Sequence, residues 1–383
     1  MSIDPKADAV FVHSSRLGSF ELSPDHPFKP ERAESAYRLC RSKGLLDGAG
    51  VRVAEIEEPE EGLLERFHTP GYIEALRRGE SGREMDVEML HHGVGTAENP
   101  VFRGMYTYSA LSVTASVAAA RLVAEGEASS AFNPCGGFHH AHPDRASGFC
   151  YANDAAIAIM ELAGRGLRVA YVDIDAHHGD GVQEAFYSDP RVLTISVHES
   201  GKTLFPWGGH EKETGSGEGE GFNINVPLEP GTDDKVFSFL FREIVLDALG
   251  LFEPDVVVGT FGTDTFAADP LTHLRMTNNG YIDAVSALKR LCPSIVALGG
   301  GGYSMDDTVR GWTLLWAELA GRDVGVDYGG LLGGVFLGDS SVEESDLRDM
   351  RVYTTGPDGD KAAAASEEAV GIYRERIRPA LGR

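Results

Sequence analysis

The chain has 383 residues, of which 59 are acidic and 34 are basic, so its formal net charge at pH 7 is −25. This length corresponds to one large domain or two ordinary ones, and a hydrophobic content of 42% is enough to build a substantial core. These values exclude a disordered chain and a small protein held together by disulfides.

Short β-rich runs alternate with longer helical patterns along the chain. Strands are predicted at 9–12, 51–56, 169–172, 192–197, 255–258 and 294–298. Helices are predicted at 31–41, 105–125, 152–163, 233–249, 280–291 and 306–319, with Asp233 and Asp306 as N-caps. Continuous apolar strands separated by helices indicate an α/β fold with a mainly parallel, multi-stranded sheet and helices on both faces.

No linker or internal repeat interrupts this alternation, so we predict a single domain over residues 1–383. Its core is expected to run from about residue 9 to about residue 322. The glycine-rich and acidic segment 323–383, with a final helix near 366–376, is predicted to wrap around the surface. The run from Gly215 to Gly221 is short, and it predicts a mobile loop rather than a domain boundary.

Composition also limits the compartment and the partners. The amino-terminal residues lack the basic and apolar regions of a signal peptide, and no run of about 18 apolar residues occurs, so we expect a cytoplasmic protein without a membrane span. The four cysteines have no CxxC spacing, which argues against a disulfide framework and a thiolate zinc site. The negative charge disfavours direct nucleic-acid binding and suits cationic substrates, although solubility is the simpler reason for it. Nothing in the sequence indicates an oligomeric state.

The segment Asp173–Asp180 has the highest density of reactive side chains. It follows the predicted strand 169–172, and ligands of open α/β sheets bind beyond the carboxyl ends of the strands. Alternation along an extended chain puts Asp173, Asp175 and His177 on one side. Such ligands can begin a divalent-metal site of the His and carboxylate type, because buried carboxylates need paired charges or a metal.

Adjacent histidines, His139 and His140, lie in a second glycine-rich segment. Taken alone they can be two metal ligands, an acid–base pair or part of a hydrogen-bonded loop. Asp173 and Asp180 offer a further arrangement, in which each imidazole is oriented through one ring nitrogen by its own carboxylate and turns the other nitrogen to the substrate.

Two later segments follow the strands near 255–258 and 294–298. The first offers Asp264 as a third metal ligand. The second, Gly299–Tyr303, has four glycines that let the backbone swing one phenol into the site. No Lys or Ser/Thr follows those glycines in P-loop register, so a phosphate-binding loop is disfavoured.

Together these motifs resemble the histone deacetylase and acetoin-utilisation (AcuC-like) deacetylase family, which has an arginase-like α/β fold. The resemblance covers roughly residues 25–316. It rests on five motifs that occur in order, namely Asp25–Arg32, Gly136–Ala141, Ser147–Asp154, Asp173–Gly181 and Gly299–Tyr303. The segment Gly95–Met105 looks more like the bacterial acetoin-utilisation branch.

The resemblance implies a role for each residue of the site. A catalytic Zn²⁺, or Fe²⁺, is held by Asp175, His177 and Asp264. His139 with Asp173 and His140 with Asp180 form two dyads, and Tyr303 polarises the acyl carbonyl. The remaining implied sites are a substrate tunnel with Gly148, Phe149, Phe205 and Glu98, a structural K⁺ site with Asp173, Asp175, His177, Ser196 and Val197, and a second monovalent site near Phe186, Asp189, Val192 and Phe222.

The function expected from this resemblance is zinc-dependent removal of acetyl groups from acetylated lysine side chains of proteins. The alternative function is deacetylation of small acetylated amines, namely acetylated polyamines. Their positive charge suits an acidic entrance to the active site. A non-catalytic acyl-lysine-binding scaffold is disfavoured because the metal ligands and Tyr303 are all present. An arginase-type reaction is disfavoured because paired histidines and a tyrosine fit one metal better than two manganese ions.

Overall fold

The computed structural model describes residues 7–83, 85–324 and 347–382. Its centre is one eight-stranded sheet in which every pair of neighbouring strands is parallel. The strands are β1 (Ala7–His13), β2 (Val51–Glu55), β3 (Ala128–Asn133), β4 (Val169–Asp173), β5 (Val192–Glu199), β6 (Asn223–Leu228), β7 (Val256–Thr260) and β8 (Ile295–Leu298). Their order across the sheet is β2-β1-β3-β8-β7-β4-β5-β6.

Twelve α-helices surround the sheet in the described part of the chain. They are α1 (Glu31–Ser42), α2 (Pro70–Arg78), α3 (Val87–His91), α4 (Met105–Ala124), α5 (Asp154–Gly164), α6 (Asp180–Phe186), α7 (Asp234–Leu240), α8 (Asp247–Phe252), α9 (Asn278–Leu291), α10 (Met305–Leu319), α11 (Pro357–Ile372) and α12 (Arg378–Leu381). A π-helical turn joins α7 to α8, and another joins α11 to α12. None of the described helices is long and apolar enough to cross a bilayer.

Both faces of the sheet are covered, as the sequence predicts. Phe11 and Val172 belong to a core cluster with side chains of α1 and α7–α12, whereas their strand neighbours Val12 and Tyr171 belong to a second cluster with side chains of α2–α6. Successive residues of a strand point to opposite faces, so these strands bury apolar side chains on both sides. The predicted α/β class is confirmed.

Several predicted elements differ from the structure in detail. All six predicted strands are present, but β3 and β6 were not predicted, nor were α2, α3, α6 and α12. Asp233 caps α7 through the backbone amides of Lys235 and Val236, as expected. The N-cap of α10 is Ser304 rather than Asp306, because the helix begins one residue earlier, at Met305.

The carboxyl-terminal segment is described only from residue 347, so its predicted course over 325–346 lies outside the described residues. Within the described part, α11 covers 357–372, where the sequence predicts a helix at 366–376, and it packs against α7 and β6. The division into a core of about 9–322 and an extension of about 323–383 stays a prediction.

The strand order decides where the motifs meet. β3, β8, β7 and β4 are neighbours at the centre of the sheet, and all of them run in the same direction. The four segments rich in reactive side chains begin where these strands end. They therefore converge at the carboxyl edge of the sheet, the usual ligand-binding edge of this fold class.

Candidate active site at the carboxyl edge of the sheet

Asp175, His177 and Asp264 form a potential metal-binding group at this edge. Each offers one ligand atom, and these atoms all lie within 4.8 Å of one another. His177 Nδ1 is 3.2 Å from Asp175 Oδ1 and 2.9 Å from Asp264 Oδ2. All three side chains are buried. One imidazole and two carboxylates around a common point are a donor set that suits zinc or ferrous iron.

The electrostatics of the group call for a cation. Burial, together with the neighbouring Asp175 carboxylate, raises the pKa of Asp264 to about 7. Burial lowers the pKa of His177, but hydrogen bonds and charges from Asp175 and Asp264 outweigh it and raise that pKa to about 10. Two buried carboxylates so close together are costly to ionise without a positive charge between them.

Asp173 is separated from this group, although strand alternation predicts it on the same side as Asp175 and His177. The reason is that β4 ends at Asp173, so the alternation does not continue through the next residues. Its carboxylate instead lies 2.7 Å from His139 Nδ1 and accepts a hydrogen bond of 2.6 Å from the Tyr171 hydroxyl.

The two adjacent histidines each have a carboxylate partner. His139 Nδ1 is paired with Asp173, and His140 Nδ1 lies 2.7 Å from Asp180 Oδ1. The two Nε2 atoms are 3.1 Å apart and belong to rings that line the same cavity. Of the arrangements that the sequence leaves open, the structure therefore shows the one with two oriented imidazoles.

The two imidazoles differ in basicity. Burial lowers the pKa of His139, but Asp173 and Asp175 outweigh that effect and raise it to about 9. Burial and the neighbouring His139 lower the pKa of His140 to about 4, against the opposing effect of Asp180. In the protein alone, the first ring is therefore protonated at neutral pH and the second is a free base.

Asp154 fixes the loop that presents both histidines. It accepts hydrogen bonds from the backbone amides of Gly137 and Phe138 and from the Ser116 hydroxyl, and it is fully buried. Asn153 caps α5 and donates to the carbonyl oxygen of His139. Two neighbouring residues at the start of α5 thus hold in place the loop that carries His139 and His140.

The Gly299–Tyr303 loop is held by two charged residues. Arg32 is buried and donates to the carbonyl oxygens of Gly302 at 2.7 Å and Gly300 at 2.5 Å. Asp269 accepts a hydrogen bond of 2.7 Å from the Tyr303 backbone amide. The Tyr303 ring lies 6.3 Å from the His177 ring, and burial raises its pKa well above the ordinary value. The phenol therefore stays protonated and can donate a hydrogen bond beside the metal-binding group.

A narrow cavity connects these groups. Its lining includes both histidines, Asp175, His177, Tyr303 and the expected tunnel residues Gly148 and Phe149. Phe205 is not part of this lining, but its ring lies 5.0 Å from the His140 ring and 6.5 Å from the His177 ring.

Glu98 holds the loop that carries these tunnel residues. Its carboxylate accepts a hydrogen bond of 2.8 Å from the Gly148 amide, so this oxygen supports the loop. The left-handed φ of 53° at Gly148 and 65° at Phe149 turns the chain sharply at this point.

The residues expected around monovalent cations lie in two places. Ser196 pairs with Asp173 in the register of β5 and β4. Asp175 and His177 follow Asp173 along the chain, and Val197 follows Ser196. Phe186, Asp189 and Val192 follow one another through the turn from α6 to β5, where backbone hydrogen bonds join Phe186 to Asp189 and Asp189 to Val192. The Phe222 carbonyl accepts from the Thr194 amide beside this turn. Cation binding at both places stays a prediction.

Comparison with known proteins identifies the family. The model of the histone deacetylase domain matches residues 26–319, which is most of the chain. The chain belongs to the histone deacetylase family. The family resemblance predicted from the motifs is thereby confirmed, and so is the fold that it implies.

Individual relatives support this assignment. The acetoin utilization protein AcuC of Bacillus subtilis is 38% identical over 325 residues, with 83% of this chain and 84% of the relative covered. Histone deacetylase clr6 of Schizosaccharomyces pombe is 35% identical, with 83% and 78% covered. The crystal structure of a histone deacetylase homologue from Aquifex aeolicus superposes with a TM-score of 0.84 at 31% identity, covering 95% of this chain and all of that one.

Three residues around the site had no role in the sequence interpretation. Arg32 and Asp154 lie within two of the five motifs, and Asp269 lies in the segment 260–270 that also contains Asp264. The groups that they hold are backbone atoms or are distant along the chain. Their place in these segments was the only sign in the sequence that they could matter. A linear sequence does not show which backbone amide or carbonyl a charged side chain reaches.

Proposed function

We propose that the protein is a metal-dependent deacetylase that hydrolyses the amide of acetylated lysine side chains in cytoplasmic proteins. The observation that carries this proposal is the convergence of a metal-binding group, two carboxylate-paired imidazoles and one phenol on a single cavity. Family membership supports deacetylation as the reaction class.

Asp175, His177 and Asp264 would hold the metal, which we expect to be zinc, with ferrous iron as the alternative. Their donor atoms and their buried negative charge fit a dication. A metal bound there would lower the pKa of a water ligand to about 7 and polarise the acetyl oxygen. The three donor atoms come from the ends of β4 and β7, two neighbouring strands, so the backbone fixes their separation.

His140 is proposed to take the proton from the attacking water and later to give it to the lysine amine. Its Nδ1 faces Asp180, which orients the ring and stabilises the imidazolium that forms, while Nε2 lies toward the cavity. His139 is proposed to supply positive charge and orientation, because Asp173 holds it in the same way. Asp173 is also expected beside a structural K⁺ ion, whose charge would weaken its support for an imidazolium.

Tyr303 is proposed to donate a hydrogen bond to the oxyanion of the tetrahedral intermediate. Burial keeps its hydroxyl protonated, and the backbone contacts of Arg32 and Asp269 fix the loop that carries it. A donor of this kind contributes about 10²–10³ to the rate when it is preorganised.

The lysine methylenes are proposed to pass between Phe149 and Phe205. Phe149 lines the cavity and contacts Tyr303 with a ring separation of 5.8 Å, and Phe205 packs on the opposite imidazoles. Gly148 keeps the passage open between His140 and Phe205, since a Cβ atom at this position lies 2.9 Å from the Phe205 ring. Glu98 supports this wall from the outside.

Turnover of a panel of substrates by enzyme of defined metal content tests the proposal. Acetyl-lysine peptides should be hydrolysed faster than acetylated polyamines, and Asp175→Asn protein should be inactive. Faster turnover of the polyamines would replace the substrate class with the alternative one. Tight binding of acetyl-lysine peptides without hydrolysis by metal-containing enzyme would support the scaffold function instead.

A further inference from the structure

Asp180, the carboxylate of the second dyad, serves two imidazoles. Its Oδ1 lies 2.7 Å from His140 Nδ1, and its Oδ2 lies 3.3 Å from His142 Nε2. The other ring nitrogen of His142, Nδ1, is hydrogen bonded to Glu184. A continuous chain of contacts therefore runs from the buried His140 through Asp180 and His142 to Glu184, whose side chain is 51% exposed.

The contacts of His142 define its charge. Both ring nitrogens face carboxylate oxygens, and an ionised carboxylate can only accept hydrogen bonds. A hydrogen on each nitrogen lets the ring attract both carboxylates, so this arrangement favours His142 as an imidazolium when Asp180 and Glu184 are ionised. Arg145 opposes this charge from the same loop, but the two carboxylates outweigh both Arg145 and burial, so the pKa of His142 is raised.

The same pattern occurs at the first dyad with a neutral donor. Asp173 accepts from His139 and also from the Tyr171 hydroxyl. Each dyad carboxylate therefore has a second side-chain donor, in addition to a backbone amide that donates to its Oδ1, and these contacts together restrain its rotation. At Asp173 this donor is a buried phenol of the sheet, whereas at Asp180 it is a charged side chain of the histidine loop.

We propose that His142 is a positioning residue of the active site. As a buried imidazolium it holds Oδ2 of Asp180, so that Oδ1 stays directed at His140 Nδ1. This inference rests on the proposed function, in which His140 transfers the proton. His142 itself does not line the cavity and makes no contact with the group that would bind the metal.

Three substitutions of His142 separate charge, hydrogen bonding and packing. His142→Lys keeps a charged donor, His142→Gln keeps a neutral donor, and His142→Ala removes both. Loss of a residue that orients a metal ligand typically lowers metal affinity or activity about 10- to 100-fold, and we take the same range for a residue that orients a proton-transferring imidazole. We expect kcat to fall about tenfold or more in the alanine variant, less in the glutamine variant, and to stay within about threefold of wild type in the lysine variant. KM and metal content should be unchanged.

His13 provides a matched control because it also lies between two carboxylates. Its ring nitrogens are 2.8 Å from Glu34 and 2.7 Å from Glu55, outside the proposed site. His13→Ala removes an equivalent pair of contacts and should leave kcat unchanged. Wild-type kcat in His142→Ala, or an equal loss in the lysine and alanine variants, would overturn the proposal. If the alanine variant does not fold, Glu184→Gln serves in its place and should lower kcat by a smaller factor, and an unchanged kcat there would also overturn it.

An independent spectroscopic measurement separates this inference from the proposed function. In holoenzyme labelled with ¹⁵N-histidine, both ring nitrogens of His142 should show the shifts of protonated nitrogen at about pH 7, with the signal assigned by its loss in His142→Gln. A neutral His142 overturns the inference whether or not the enzyme is active. A charged His142 in a protein that hydrolyses no acetyl-lysine peptide counts against the proposed function alone.

Discussion

Replacement of Gly148 by alanine should disable the site while leaving the fold intact. Gly148 has a left-handed φ of 53°, and a Cβ atom built on it lies 2.3 Å from His140 Cδ2 and 2.7 Å from His140 Cγ. Carbon atoms prefer a separation of about 3.5–4.0 Å, so the imidazole has to move by at least about 1 Å. A movement of this size would disturb the hydrogen bond between His140 Nδ1 and Asp180, which is now 2.7 Å long.

The size of the expected loss of rate follows from this displacement of the imidazole. A misplacement of about 1 Å in a reacting group can cost about 100-fold in rate, which corresponds to about 2.7 kcal/mol of activation free energy. The left-handed conformation adds about 1–2 kcal/mol to the cost of alanine in the folded state. We expect kcat for an acetyl-lysine peptide to fall about 100-fold, with a modest decrease in the free energy of unfolding.

Gly217 is the matched control for backbone strain. Its φ of 58° is close to that of Gly148, but nothing lies within 4 Å of its Cβ position. Gly217→Ala should lower the free energy of unfolding by about 1–2 kcal/mol and leave kcat unchanged. Steady-state kinetics and urea unfolding of both variants give the comparison. Wild-type kcat in Gly148→Ala, with a stability loss equal to that of Gly217→Ala, would refute the argument that the side-chain clash displaces His140.

Three further predictions address the metal, the proton transfer and the stability of the fold. Asp175→Asn should lower the bound metal measured by elemental analysis, because it removes one of three ligands, and undiminished metal would contradict the assigned ligand set. His140→Ala should lower turnover more than His139→Ala with metal retained, and Tyr303→Phe should lower kcat by about 10²–10³ with little change in substrate binding; near-normal turnover in all three variants would contradict hydrolysis at this site. Burial lowers the pKa of His68 to about 4, so the unfolded chain binds a proton below about pH 6.5 that the folded chain does not, and up to about 3 kcal/mol of stability should be lost as the pH falls from 6.5 to 4. Urea unfolding at several pH values should show this loss in wild type and a smaller loss in His68→Gln, whereas equal pH dependence would mean that His68 is not the group responsible.

The sequence was sufficient to predict the class of fold, because that class depends on patterns that are local. The run 169–172 is apolar at every position, and 192–197 is interrupted only by Thr194 and Ser196, as expected for strands buried on both faces. The helices between such runs imply parallel connections. It was also sufficient to identify the reactive segments, since metal ligands and imidazoles occur there at densities that a structural explanation does not account for.

The two missed strands show what the local pattern does not contain. β6 includes Asn223 and Asn225, which are buried and donate to the side-chain oxygen of Gln183 at 2.8 Å and 2.7 Å. β3 includes the buried Ser130. Polar residues of this kind argue against a buried strand in the sequence pattern. They can be buried only when a distant segment or a neighbouring strand supplies hydrogen-bond partners.

The family resemblance implies how the reactive groups are paired, but the residues by themselves do not show it, and the physical reason lies in the tertiary structure. Three carboxylates lie within a span of eight residues, yet each has different partners. Asp173 faces His139, and Asp175 belongs to the group with Asp264. Asp180 contacts both His140 and His142. The sequence brings these carboxylates to one edge of the sheet, because parallel strands end there together. Which carboxylate meets which imidazole depends on where β4 ends and on the loop that Asp154 holds, and those are properties of packing between segments that are far apart in the chain.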